Sequence, residues 1–170
     1  KKNLRIISVS ADYNEASISI KSVAGGYLYQ QKDTLQAELN KLNFITKRKP
    51  TDDEVTAMHL GWKLVRQVKS NAIVLADKIQ LLGVGAGQMS RIDSVKIAIQ
   101  KVTDSGLNLH GSIMASDAFF PFSDCVELAA QAGVTAIIQP GGSIKDDKVI
   151  ATANKFGIAM AFTGIRHFLH

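Results

Sequence analysis

Cysteine is almost missing from this chain: Cys125 is the only one in 170 residues. A lone thiol excludes an intramolecular disulfide and fits a reducing compartment, so a cytoplasmic protein held together by its core is expected. Cys125 stands beside Asp124 at the start of an apolar helical pattern, with no histidine nearby in sequence. It therefore reads as a small core residue rather than a nucleophile. The four histidines, His59, His110, His167 and His170, make no H-x-x-x-H, and there is no C-x-x-C, so no metal site is expected. No stretch approaches the 18 or more uninterrupted apolar residues of a membrane helix. The opening K-K-N-L-R-I-I-S-V-S has no apolar core or cleavage site of a signal peptide and no methionine, and reads as an interior cut of a longer polypeptide. Low-complexity linkers, solenoid repeats and a basic stripe with interleaved aromatics are also lacking, which argues against a repeat array and against nucleic acid.

What is present is the balance of a globular domain, 46% hydrophobic and 21% charged. The formal net charge of +5 suits an acidic partner such as a phosphorylated or polycarboxylate small molecule. Short strands are expected at Leu4–Val9, Ala16–Lys21 and Tyr27–Gln30, the last two joined through Gly25-Gly26, and Thr46–Pro50 reads as a basic connector. Thr51-Asp52-Asp53-Glu54 spells a capping box, opening a helix with Val55, Met58, Trp62 and Val65 on one stripe. Ala72–Ala76 is a continuous apolar run, typical of a strand buried on both faces. Strands follow at Ile79–Val84, Ser112–Ala115, Val134–Gln139 and Ile158–Phe162, with helices from Ile92 to Val102, Cys125 to Ala132 and Asp146 to Phe156. That alternation predicts a three-layer α/β unit around a mostly parallel, mixed sheet.

Three loops at strand ends, where ligands of open α/β sheets gather, carry the candidate chemistry. The first, G-V-G-A-G-Q-M-S-R, is neither a dinucleotide fingerprint nor a P-loop; it reads equally as an anion-facing loop or a tight structural turn. Arg91 sharpens it, because a guanidinium in a helix's first turn opposes the macrodipole unless it meets an anion. The second, Q-P-G-G-S-I-K-D-D, offers Ser143 and glycine amides to a ligand carbonyl or carboxylate, or is a plain turn with Asp146 or Asp147 near the N-cap. In the third, A-S-D-A-F-F-P-F-S-D, Pro121 stops the strand and three phenylalanines lie within four residues. One or two rings plug the space beneath, while Phe119 could stack on a flat heterocycle and Asp124 could accept from its amino edge. The terminal R-H-F-L-H suggests a tail that docks into the core or a site.

Taken in order, K-S-N-A-I-V, G-V-G-A-G-Q-M-S-R, S-D-A-F-F-P-F-S-D, Q-P-G-G-S-I-K-D-D and R-H-F-L-H closely resemble the C-terminal part of the bifunctional purine biosynthesis enzyme family, which joins AICAR formyltransferase to IMP cyclohydrolase. The resemblance runs through essentially the whole chain. It implies formyl transfer from 10-formyltetrahydrofolate to the 5-amino group of AICAR, with a cyclohydrolase domain elsewhere in the polypeptide. It also implies a cytidine-deaminase-like α/β/α unit over residues 51–170, preceded at 1–50 by a connecting segment and strands of the previous formyltransferase subdomain. Sites shared between the subunits of a homodimer would follow, as would the possible help of a monovalent cation such as potassium. By motif, Asn71, Arg91 and Arg166 would contact AICAR, and Ile92, Phe119, Asp124, Ser143 and Ile144 would line the folate pocket. His170 would lie near the reacting groups, and His170 and Asn71 could assist catalysis. The family's lysine–histidine pair, with its proton acceptor, lies upstream of these motifs, so this chain alone is expected to be inactive; a non-catalytic nucleotide-binding or dimerisation module is the alternative reading.

Overall fold

The computed structural model describes residues 4–8, 18–31, 33, 37, 39 and 42–169, which divide into two units, Lys1–Thr34 and Leu35–His170. The first unit contains an antiparallel hairpin of β1 (Ile18–Val23) and β2 (Gly26–Gln31), in register from Ile18 opposite Gln31 to Val23 opposite Gly26. Gly25 turns it at φ +83°, a conformation that side-chain-bearing residues rarely adopt. The strand expected from Leu4 is not there: residues 4–8 are exposed and unassigned, and Val9 lies outside the described residues. β-propensity alone does not make a strand where no ladder takes up the backbone N–H and C=O groups.

In the second unit a sheet of order β3-β8-β7-β6-β4-β5 forms the middle layer. Its members are β3 (Asn43–Phe44), β4 (Ile73–Ala76), β5 (Leu81–Gly85), β6 (Ile113–Ser116), β7 (Ala136–Gln139) and β8 (Ala159–Phe162). β6, β7 and β8 are mutually parallel; β4 runs against β6, and β5 against β4. Four of the six strands, β5 to β8, thus point one way, and the sheet is mixed but mostly parallel. Residues 43–50 belong here rather than to the connecting segment. β3 pairs with β8, Ile45 N–H donates to Met160 O at 3.0 Å, and Thr46 Oγ1 accepts from the Met160 N–H at 2.8 Å, which ties this segment to the sheet.

Period-two alternation splits the core between the two faces. Ile73, Leu75, Met114, Ile137 and Met160 face α2 (Arg91–Asp104), α3 (Asp124–Gln131) and α4 (Asp146–Lys155). Val74, Ile113, Ala115, Ile138 and Ala161 face α1 (Asp52–Val65), which lays Met58, Trp62 and Val65 against them, with Val55 only half-buried. The expected capping box of α1 is formed: Thr51 Oγ1 accepts from Glu54 N–H, and Glu54 Oε2 accepts from Thr51 N–H at 2.8 Å. β5 starts two residues later than expected, because Asp77 Oδ1 accepts from the N–H groups of Ile79 and Gln80, both at 2.7 Å, and holds them in a turn.

Candidate functional site

Strand direction assembles the site. β5, β6, β7 and β8 end at one edge of the sheet, so the loops after Gly85, Ser116, Gln139 and Phe162 gather there. β4 runs the other way and begins where they end, with Ile73 opposite both Ser116 and Gly85. The Ser70-Asn71-Ala72 segment therefore enters the same edge.

A buried polar knot forms at that meeting point. Arg91, 7% exposed, bonds Asp117 Oδ1 through Nη1 and donates from the same nitrogen to Ser116 Oγ at 3.0 Å. Its Nη2 donates to Asn71 Oδ1 at 3.0 Å. Arginine has only donors, so Asn71 must present its oxygen to Arg91 and its amide nitrogen to Gln88 O, 2.9 Å away. Asp117 is fully buried and receives a second bond from the Ser70 hydroxyl at 2.5 Å. The anion that Arg91 requires at its helix start is thus an internal carboxylate, from a residue to which the sequence assigned no function. In G-V-G-A-G, helix packing accounts for the first two glycines: a Cβ on Gly83 would stand 2.5 Å from Ala98 O, and one on Gly85 1.8 Å from Ser94 O.

The chain's last segment docks here. His167 is 2% exposed, its ring centroid 4.9 Å from that of Trp62, and its N–H donates to Asp117 O at 2.9 Å. Ser70 N–H donates to Leu169 O at 2.9 Å. Arg166, just before this anchor, lays its guanidinium over the Phe119 ring, 4.7 Å from the centroid, a favourable cation–π arrangement. One face of Phe119 is therefore occupied by Arg166. Of the neighbouring rings, Phe120 is fully buried and plugs the loop, whereas Phe122 is exposed under Lys145 Nζ at 3.8 Å.

The residues that the resemblance assigns to the folate pocket are spread wider. Asp124 is exposed at the start of α3, its Oδ1 accepting from Cys125 N–H at 2.8 Å. Ile92 is half-buried against the α2–α4 core, and Ile144, the residue after Ser143, is entirely exposed. The loop amides of Gly142 and Ser143 are already taken by Asp146 Oδ2, at 2.7 and 3.1 Å. What this loop offers a ligand is therefore its side chains and remaining groups, not those two N–H donors. Its place beside the arginine is clear, since a Cβ on Gly142 would stand 3.4 Å from Arg166 Nη2. His170 lies outside the described residues. Cys125 is buried, and that burial, with the Asp124 carboxylate beside it, pushes its thiol up to about 12, which leaves it inert at neutral pH. Among the described residues, no three His, Cys, Asp or Glu side chains converge as metal ligands, and no helix is long and apolar enough to cross a membrane. The sequence reading missed Asp117, Ser70 and Ser116, whose only signal is their position where β4 starts and β6 ends.

Fold and site together define an open three-layer α/β domain with an arginine-bearing polar site at the carboxyl edge of its sheet. Residues 1–101 match the family model described as AICARFT/IMPCHase bienzyme, and the chain belongs to that family. Curated relatives described as bifunctional purine biosynthesis protein PurH are 53% identical in Halalkalibacterium halodurans, 49% in Aquifex aeolicus and 49% in Shouchella clausii. Each similarity covers 100% of this chain and 33% of the relative, so the chain spans about a third of their length. Crystal structures of a cyanophage S-TIM5 dCMP deaminase, in apo form and in complex with dCMP and dUMP, align over 61% of this chain and 92% and 90% of theirs. Their identity is 18% and their TM-scores are 0.43 and 0.45, a likeness that says nothing of ligand or chemistry.

Proposed function

We propose that this chain is the C-terminal, folate-binding part of the AICAR formyltransferase of a bifunctional purine biosynthesis protein whose IMP cyclohydrolase lies elsewhere in the polypeptide. The observation that carries this reading is the convergence of Asn71, Arg91, Phe119 and Arg166, the residues that the resemblance assigns to the two substrates, at one edge of the sheet. Asn71, Arg91 and Arg166 hold AICAR. Asp124, Ser143, Ile144, Ile92 and the open face of Phe119 receive 10-formyltetrahydrofolate. The AICAR 5-amino nitrogen attacks the formyl carbon; the new C–N bond forms as the bond to folate N10 breaks, N10 takes a proton, and the amine gives one up. Donors aimed at the formyl oxygen stabilise its transient negative charge. The proton acceptor comes from the lysine–histidine pair outside this chain, with His170 and Asn71 assisting, and the site is completed by the other subunit of a cytoplasmic homodimer.

The test is formation of formyl-AICAR from AICAR and 10-formyltetrahydrofolate. The full-length protein is expected to make it, and Asp124→Ala to raise the folate KM selectively. Lacking the base, the 170-residue chain alone is expected to be slower by about 10²–10⁴-fold. A full-length protein that binds nucleotide but never consumes the folate would sink the reading.

A further inference from the structure

Arg91 is the interior cation of the candidate site, and its donors are unevenly used. Nη1 serves Asp117 Oδ1 and Ser116 Oγ, and Nη2 serves Asn71 Oδ1 once. Nη1 also stands 3.4 Å from Ala72 O, and among the described residues the Nε–H and one Nη2–H are left without a protein acceptor. A guanidinium 7% exposed can offer such donors in a defined direction only if the rest of its fork is locked. One carboxylate does the locking. Asp117 is itself held by the Ser70 hydroxyl at 2.5 Å, so its orientation is set before any ligand arrives. Asn71 is then oriented through Arg91, its oxygen towards the guanidinium and its nitrogen on Gln88 O at 2.9 Å. The same residue reaches the tail by its backbone, where Asp117 O accepts from His167 N–H at 2.9 Å, next to Arg166.

We propose that Asp117 is a positioning residue for AICAR, acting through Arg91: its buried carboxylate fixes the guanidinium, and through it Asn71, in the orientation that meets the nucleotide. This rests on the functional reading above. Charge adds to geometry, since an unpaired buried guanidinium would draw in water or swing out towards it. Because the tail is held by the Asp117 backbone, a side-chain substitution isolates the Arg91 arm from the Arg166 arm.

The experiment is steady-state formyl transfer by the full-length protein with both substrates varied. Asp117→Asn, nearly isosteric, is expected to lower kcat/KM for AICAR by about 100-fold, the scale of a slightly misplaced contact. The folate KM is expected to stay at the wild-type value. Arg91→Gln and the double variant Arg91→Gln/Asp117→Asn are expected to agree within about threefold, because Asp117 acts through Arg91. An unchanged AICAR KM, equal damage to both substrates, or an additive double variant would overturn the assignment, the last two marking a merely structural role. Should Asp117→Asn not fold, Ser70→Ala removes one lock and leaves the charge pair; it is expected to raise the AICAR KM severalfold, and no change overturns the proposal. A wild type that transfers no formyl group refutes the functional reading itself, whereas an active wild type with an indifferent Asp117→Asn refutes only this step.

Discussion

Two arginine–carboxylate pairs sit at opposite ends of β6 and β7, and they are built differently. At the amino end, Arg48 grips Glu54 with both ends of its fork, at 2.7 and 3.0 Å, while Nε donates to Gly157 O at 2.6 Å. Its remaining donors reach Lys49 O at 3.3 Å and Thr135 O, so every N–H of Arg48 has a protein acceptor. Glu54 is likewise filled, accepting from Thr51 N–H at 2.8 Å and the Thr135 hydroxyl at 2.5 Å. At the carboxyl end, Arg91 and Asp117 are more deeply buried, yet the guanidinium keeps two donors in hand. The first pair is a closed joint tying α1 to the sheet. The second is open on one side: its deeper burial goes with two donors that no protein group takes up, the difference expected between an arginine kept for a ligand and one that closes a joint.

Asp117→Ala is expected to be the most damaging substitution in either pair. It strands a buried cation and is expected to destabilise by about 3–5 kcal/mol in urea unfolding, together with loss of nucleotide binding. Glu54→Ala should cost less, about 2 kcal/mol, because the Arg48 side chain is 33% exposed and water can take over part of its hydrogen bonding. Nucleotide affinity is expected to be untouched, and a loss of binding there would dissolve the distinction between the two pairs.

The Glu54 pair also sets a pH dependence. Burial pushes its carboxyl up, but hydrogen bonds from Arg48, Thr135 and Thr51, with the Arg48 charge, outweigh this and hold it below the ordinary value of 4.5. A depressed folded pKa gives stability that is complete above the unfolded value and is lost as pH falls through the folded one. Stability is therefore expected to decline below about pH 4.5, with a smaller decline in Glu54→Gln, read from unfolding midpoints across pH. Thr51→Ala removes the cap hydroxyl alone and should cost about 1 kcal/mol. The smallest effect is none: native Cys125 is expected to resist iodoacetamide at pH 8, and rapid alkylation would show that its loop opens.

Much of this was readable before the fold. The alternation of elements, the capping box at Thr51–Glu54 and the buried run before Asp77 are local patterns, and they appear where expected. The misses have physical reasons. Leu4–Val9 looks like a strand by composition, but Leu4 to Ser8 find no ladder among the described residues. Thr46–Pro50 is the connector expected, but Asn43–Phe44 just before it forms an edge strand that composition does not announce, because pairing with β8 is a long-range event. The glycines of β5 read equally as an anion-facing loop or a structural turn, and what separates the two is α2, a helix that begins six residues after Gly85 and packs against them.

Periodicity, caps and ordered motifs are properties of neighbours along the chain, and from them the layers, the family and the inventory of polar groups can be read. Their partnership comes from the folded chain. Asn71, Arg91, Asp117 and Arg166 are far apart in sequence, and nothing local says that β4 must run against β6. That one reversal brings the start of one strand to the ends of four others, where Asp117 can hold Arg91 with its side chain and the tail with its backbone.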